Sequence, residues 1–236
     1  MRSIYITGLK RHTGKTVIAA GLLGTMQSLS YATGYFKTIQ TGRNSSLFIT
    51  DEVFMKNVDS NIKTYTSYGF DSEQCPLLGA YNAGINKIDA PKITKDFYEN
   101  ITDVEFCIVE GTNGVSSPIT DKLTEIDITK SFGIPLVLVL DAKKDTIDEV
   151  ISGITYIRSH NVNLAGIIIN SFDSDSENIG EKYFPQLVKE FTGVDIWGCF
   201  PYFDNYNKIG ADSLIAEALN NFNVEDIFGL KISKLN

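Results

Sequence analysis

The apolar runs of this chain do not alternate. C-I-V (Cys107–Val109), L-V-L-V-L (Leu136–Leu140) and G-I-I-I (Gly166–Ile169) place apolar residues at consecutive positions. That pattern belongs to strands covered on both faces, not to a sheet with one wet side. Strands are predicted at Ser3–Thr7, Gly34–Ile39, Phe106–Glu110, Leu136–Asp141, Leu164–Asn170 and Ile196–Phe200. Between them, helical spacing covers Lys15–Leu29, Asp51–Val58, Thr124–Phe132, Thr146–Ser159, Glu177–Phe191 and Asp212–Phe222. Strand–helix alternation implies right-handed crossovers and an α/β fold, a mainly parallel sheet with helices on both faces. Residues 1–236 read as a single domain. Residues 60–95, with Pro76, Pro91 and scattered glycines, read as an irregular insertion of the kind that handles substrate.

Composition narrows the partners. Lys and Arg number 21 against 29 Asp and Glu, a net charge of −8, so no cationic excess is present to neutralise nucleic-acid phosphates. The run Pro135–Leu140 is too short to span a bilayer, and the opening M-R-S-I-Y-I-T-G carries no long apolar segment. Three widely spaced cysteines, Cys75, Cys107 and Cys199, fit neither a disulfide framework nor a zinc site. The expectation is a soluble, cytoplasmic protein with no nucleic-acid or membrane partner.

In such sheets ligands bind beyond the carboxyl ends of the strands. The first strand is followed by G-L-K-R-H-T-G-K-T, Gly8 to Thr16, leading into an apolar helix. Gly14-Lys15-Thr16 between strand and helix is the signature of a phosphate-binding loop. Its backbone N–H groups would cradle phosphate, Lys15 would neutralise the β and γ oxygens, and the Thr16 hydroxyl would ligate Mg²⁺. In the usual spacing, G-x-x-x-x-G-K-[ST], Leu9 would be the first glycine; here Gly8 stands one residue earlier. Lys37 lies on the second strand, in G-Y-F-K-T-I-Q-T-G. It is either a second cation for the transferred phosphate or a snorkelling lysine on an edge strand. Glu110 ends an apolar strand and fits a metal-side carboxylate, or a turn residue; Gly111 and Gly114 after it form a loop able to approach a substrate. Asp51 is either another metal-side acid or an acid favoured by a helix dipole. The two histidines, His12 and His160, form no metal pattern, and no Ser–His–Asp or Cys–His grouping is present.

Together these segments resemble dethiobiotin synthetase, an ATP-dependent ring-closing ligase family of biotin synthesis. The long loop Gly8–Thr16, the strand Y-F-K-T-I-Q-T-G with Lys37, Thr41 and Gly42, and the loop V-E-G-T-N-G-V-S-S-P with Glu110 match its motifs in order and spacing. The resemblance implies a fold of the P-loop NTPase kind and ATP and Mg²⁺ as cofactors. Nucleotide would be held by Arg11, His12, Thr13, Gly14, Lys15, Thr16 and Val17, with Asn170 of L-A-G-I-I-I-N and Pro201 of G-C-F-P-Y at the base. The metal would rest on Thr16, Asp51 and Glu110, and Lys15 and Lys37 would be catalytic. A diamine and CO₂ or bicarbonate are the implied substrates, with Thr41 and Asp148 on the substrate side and a homodimer as the assembly. Departures from the family motifs sit at Leu9, Arg11, Leu77 and Asp148.

Two other readings share parts of this pattern. ATPase switches of the MinD/ParA type carry a lysine where Lys10 stands, and the tail Ile227–Leu235 is mildly amphipathic. K-T-I-Q-T-G and the glutamate-led E-G-T-N-G loop depart from that type. Amide-forming synthetases of cobyrinate-type acids usually add a glutaminase domain, for which this chain has neither the length nor a Cys/His pair.

Overall fold

The computed structural model describes residues 1–43, 49–203, 209–229 and 231. Most of the amphipathic tail therefore lies outside the described residues. Seven strands form one sheet: β1 (Arg2–Gly8), β2 (Thr33–Thr41), β3 (Lys63–Phe70), β4 (Phe106–Glu110), β5 (Leu136–Asp141), β6 (Leu164–Phe172) and β7 (Ile196–Pro201). Their order is β3-β2-β4-β1-β5-β6-β7, and every pairing is parallel. β1 sits between β4 and β5, while the chain leaves it for β2 on one side and later crosses to β5 on the other. This is the topological switch point at which such sheets open a crevice.

Helices cover both faces. Ile4 and Ile6 of β1, with Val137 and Val139 of β5, face a core shared with α1 (Lys15–Ser28), α2 (Asp51–Val58), α8 (Ala211–Asn221) and α9 (Val224–Phe228). Tyr5, Leu138 and Leu140 point the other way. They face α3 (Pro76–Asn82), α4 (Ala90–Asn100), α5 (Glu125–Phe132), α6 (Ile147–Ser159) and α7 (Ile179–Thr192). With both faces apolar, the two-residue period vanishes from the sequence. Helix α1 is buried from Val17 to Met26, so it too shows no amphipathic stripe. Among the described residues no helix is long and apolar enough to cross a membrane.

The segment 60–95 is not irregular. It holds β3, α3 and the start of α4. β3 reads K-T-Y-T-S-Y-G-F and is half-buried along most of its length, so it lacks the apolar run that marks the inner strands. Its Tyr65 ring stacks on Phe36 of β2 at 5.9 Å between centroids. Pro76 and Pro91 stand in the first turns of α3 and α4, where a missing N–H breaks no helical hydrogen bond.

Candidate active site

The loop after β1 is shaped by its last glycine. Gly14 caps α1 with φ at +88°, and a Cβ there would lie 2.0 Å from Asn170 Nδ2. Only glycine closes this turn over β6. Among the described residues the α1 N-terminus has no side-chain cap and no acid in its first turn, so the positive end of its dipole faces the crevice unmatched. Such an end favours an anion.

Lys15 is buried and its Nζ donates to the carbonyls of Lys10 at 3.0 Å and Asn113 at 2.9 Å. Burial, with the Lys37 charge nearby, pushes its ammonium down to about 8. Among the described residues its ammonium rests on two neutral carbonyls with no carboxylate paired to it directly. The charges of Glu110, Asp51 and Glu125 act on it from further off, and phosphate oxygens would supply a direct counter-charge.

The acids converge on Lys37. In the β2–β4 register Lys37 lies opposite Glu110, and its Nζ reaches Glu110 Oε1 at 2.7 Å and Asp51 Oδ2 at 2.8 Å. It also donates to the Gly111 carbonyl at 2.9 Å. The Thr16 hydroxyl donates to the same Glu110 Oε1 at 2.9 Å. Burial pushes the Lys37 ammonium down, but Asp51 and Glu110 outweigh it and hold it above its ordinary value. Burial pushes Glu110 up, with Lys37 pulling against it.

These oxygens fit Mg²⁺. One hydroxyl and two carboxylates are hard donors, and the ammonium between Asp51 and Glu110 shows that they already surround one cation-sized point. Among the described residues no cluster of three or more His, Cys, Asp or Glu side chains could hold a metal alone. A site of one hydroxyl and two carboxylates leaves the remaining positions around such an ion to water or phosphate oxygens.

A cavity of about 540 Å³ opens beside the loop, lined by Arg11, His12, Gly14, Lys15, Thr16, Val17, Lys37, Thr41, Asp51 and Glu110 among others. Most of the residues singled out in the sequence thus meet at one place. Thr13 does not line the cavity: it is buried, and its carbonyl accepts from Asn170 Nδ2 at 3.1 Å. Asn170 packs beneath the loop. Pro201 ends β7 away from the lining, just before residues 204–208, which lie outside the described residues. Asp148 is exposed in the first turn of α6 and is likewise absent from the lining.

The two loop glycines work inward rather than toward a substrate. A Cβ on Gly114 would meet the Leu9 carbonyl oxygen at 2.1 Å, and one on Gly111 would meet Glu125 Oε1 at 2.3 Å. Thr112 and Asn113, between them, are the ones that line the cavity. Lys10 turns away, its Nζ 2.8 Å from Glu149 Oε2 and 3.2 Å from Asp145 Oδ1.

Sequence reasoning missed three contributors. Tyr35 donates its hydroxyl to Glu110 Oε2 at 2.9 Å; its place two residues before Lys37 puts both on one face of β2, a signal that was available. Glu125, wholly buried, accepts from the Tyr5 hydroxyl beneath the Gly111 turn. Glu73 takes a hydrogen bond from Arg11 on its carbonyl, at the cavity wall. Neither of these was visible before β1, β4 and the segment after β3 were brought together.

Comparison with known proteins finds relatives over most of the chain. The chain is 27% identical over 209 residues to the ATP-dependent dethiobiotin synthetase BioD of Bacillus cereus (strain G9842), covering 86% of this chain and 85% of that protein. It is 28% identical to the ATP-dependent dethiobiotin synthetase BioD of Clostridium acetobutylicum, covering 98% of each. Among solved structures, the MinC:MinD cell division protein complex of Aquifex aeolicus aligns over 98% of this chain and 97% of that one, at 14% identity and a TM-score of 0.62. A complex of a Cyanothece McdA variant with ATP aligns over 98% of both chains at 13% identity and a TM-score of 0.61. At those identities the likeness is one of fold. The phosphate loop, the strands that carry Lys37 and Glu110, and Asn170 all fall within residues 2–209, the span matched by the AAA domain family AAA_26, and the chain belongs to that family.

Proposed function

We propose that the protein is an ATP- and Mg²⁺-dependent cyclo-ligase that carboxylates a vicinal diamine and closes it to a cyclic urea, with 7,8-diaminopelargonate as the diamine and dethiobiotin as the product. The observation that carries this is the meeting of Lys15, Lys37, Asp51 and Glu110 around one cavity. Two curated relatives bear the name of that activity over most of the chain.

The residues supply positioning and charge. The loop Gly8–Thr16 and the α1 N-terminus hold the phosphates of ATP, and Lys15 meets the charge that builds on the transferred phosphoryl group. Lys37 and Thr41 border the space beside it, where a carbamate made from one amine and CO₂ would wait. Attack of a carbamate oxygen on the γ-phosphorus releases ADP; attack of the second amine on the carbamate carbon then closes the ring and expels phosphate. Proximity and electrostatics suffice, and no protein nucleophile is required. Mg²⁺, when bound, offsets charge on the phosphates; Thr16, Asp51 and Glu110 are the residues that would hold it. A homodimer, implied by the family resemblance, is part of the same proposal.

Phosphate release measured with ATP, Mg²⁺ and bicarbonate should rise at least about tenfold on adding 7,8-diaminopelargonate, a margin equal to about 1.4 kcal/mol. Binding of ATP without that stimulation would remove the substrate from the proposal. Stimulation by a protein or lipid partner in the absence of any amine would favour an ATPase switch instead. Against the switch stand K-T-I-Q-T-G and the glutamate-led E-G-T-N-G loop, which depart from that type.

Glu110→Gln and Asp51→Asn should each shift the Mg²⁺ dependence of phosphate release upward by about tenfold or more, since each removes an anionic oxygen that suits the ion. Wild-type metal dependence in both variants would show that the metal is held elsewhere.

A further inference from the structure

The position between Asp51 and Glu110 is already filled by a cation of the chain itself. Lys37 Nζ stands 2.8 Å from Asp51 Oδ2, 2.7 Å from Glu110 Oε1 and 2.9 Å from the Gly111 carbonyl oxygen. These oxygens come from α2, from the end of β4 and from the loop that follows it. The Lys37 side chain is only 4% exposed. An ion coordinated by both carboxylates would stand where the ammonium stands, and two cations at that separation repel strongly at low dielectric.

We propose that Lys37 is a placeholder cation: its ammonium holds Asp51 and Glu110 together until a divalent ion displaces it, and the displaced side chain swings into the cavity it borders. The proposal rests on the reading of Thr16, Asp51 and Glu110 as metal-side groups. Three features support the exchange. Lys37 lines the cavity, so its flexible stem has open space beside it. The Thr16 hydroxyl already donates to Glu110 Oε1, which places a further hard oxygen at the same point. Tyr35 holds the other oxygen, Glu110 Oε2, at 2.9 Å, so the carboxylate stays in place when the lysine leaves. Metal entry and delivery of Lys37 toward the carbamate and γ-phosphate would then be one event.

Metal binding alone tests this, without turnover. Mn²⁺ titration of the full-length protein, read by electron paramagnetic resonance of the free ion, should give a Kd at least about tenfold lower in Lys37→Met than in wild type. Lys37→Gln should behave like Lys37→Met, and it replaces that variant if Lys37→Met fails to fold. Lys37→Arg keeps the charge and should bind no tighter than wild type. Glu110→Gln should weaken Mn²⁺ binding in either background. Equal or weaker binding in the two uncharged variants, with Glu110→Gln still weakening the wild type, would overturn the placeholder while leaving the metal site standing. If Glu110→Gln has no effect on Mn²⁺ binding, or if neither wild type nor variant binds the ion, the metal-side reading fails together with the inference.

Discussion

Lys15→Ala should lower ATP-dependent phosphate release by about 10²–10³-fold, the range seen when one aimed donor is removed from a transition state. The residue combines three conditions that make its charge costly to lose. It is buried, its Nζ rests on the Lys10 and Asn113 carbonyls, and among the described residues no carboxylate pairs with it directly. Its ammonium is already pushed down to about 8 by burial and by Lys37, so an arriving phosphate gains a poorly solvated cation. Lys15→Met separates charge from packing, since it keeps most of the stem. Both variants should melt no more than about 4–8 °C below wild type, because two hydrogen bonds to neutral carbonyls contribute about 1 kcal/mol each. Wild-type turnover in a folded Lys15→Ala protein would sink the assignment of the loop as the phosphate site.

Why some of this could be read from sequence, and some not, follows from where each strand sits. Strands β1, β4, β5 and β6 print apolar runs because both faces are covered. Strands β2 and β7 are legible by their β-branched and aromatic residues, and the limits of all six agree with the structure to within two residues at every end. The seventh, β3, is an edge strand of Thr and Tyr, and its absence from the sequence reading had a consequence for the site. Lys37 could be a snorkelling residue only if β2 were an edge. With β3 on its far side, β2 is interior, and Lys37 has carboxylates rather than water to face. Asp51 was undecided between a dipole role and a metal-side role, and its position is compatible with both: it sits in the first turn of α2 and also 2.8 Å from Lys37. Glu125 was invisible for a different reason. A glutamate acquires its meaning here from a partner 120 residues away, and no local pattern carries such a pairing; Tyr35, two residues before Lys37, at least shares its face of β2.

Gly114→Ala should destabilise the protein by about 3 kcal/mol, a drop of about 6–12 °C in melting temperature for a chain of this size. In sequence this glycine looks like part of a loop free to approach a ligand. In the structure a Cβ there would fall 2.1 Å from the Leu9 carbonyl oxygen, 2.4 Å from its carbon and 2.8 Å from the Lys10 nitrogen. All three are backbone atoms of the phosphate loop, so no side chain can rotate away and the two loops must separate. That separation acts on the site directly. The Val115 N–H donates to the Gly8 carbonyl at 2.9 Å, and Asn113 supplies one of the two carbonyls that hold Lys15. Pushing the 111–115 segment outward strains both contacts and moves Gly111, whose carbonyl accepts from Lys37. The variant should therefore lose ATP affinity in proportion greater than its loss of stability, measured at a temperature where it is still folded. Gly84→Ala provides the comparison: its φ is +73°, but among the described residues no atom lies within 4 Å of a Cβ there, so it should cost about 1 kcal/mol of backbone strain and leave nucleotide binding unchanged. Equal ATP affinity in the two variants would mean that the contact between the loops serves folding alone.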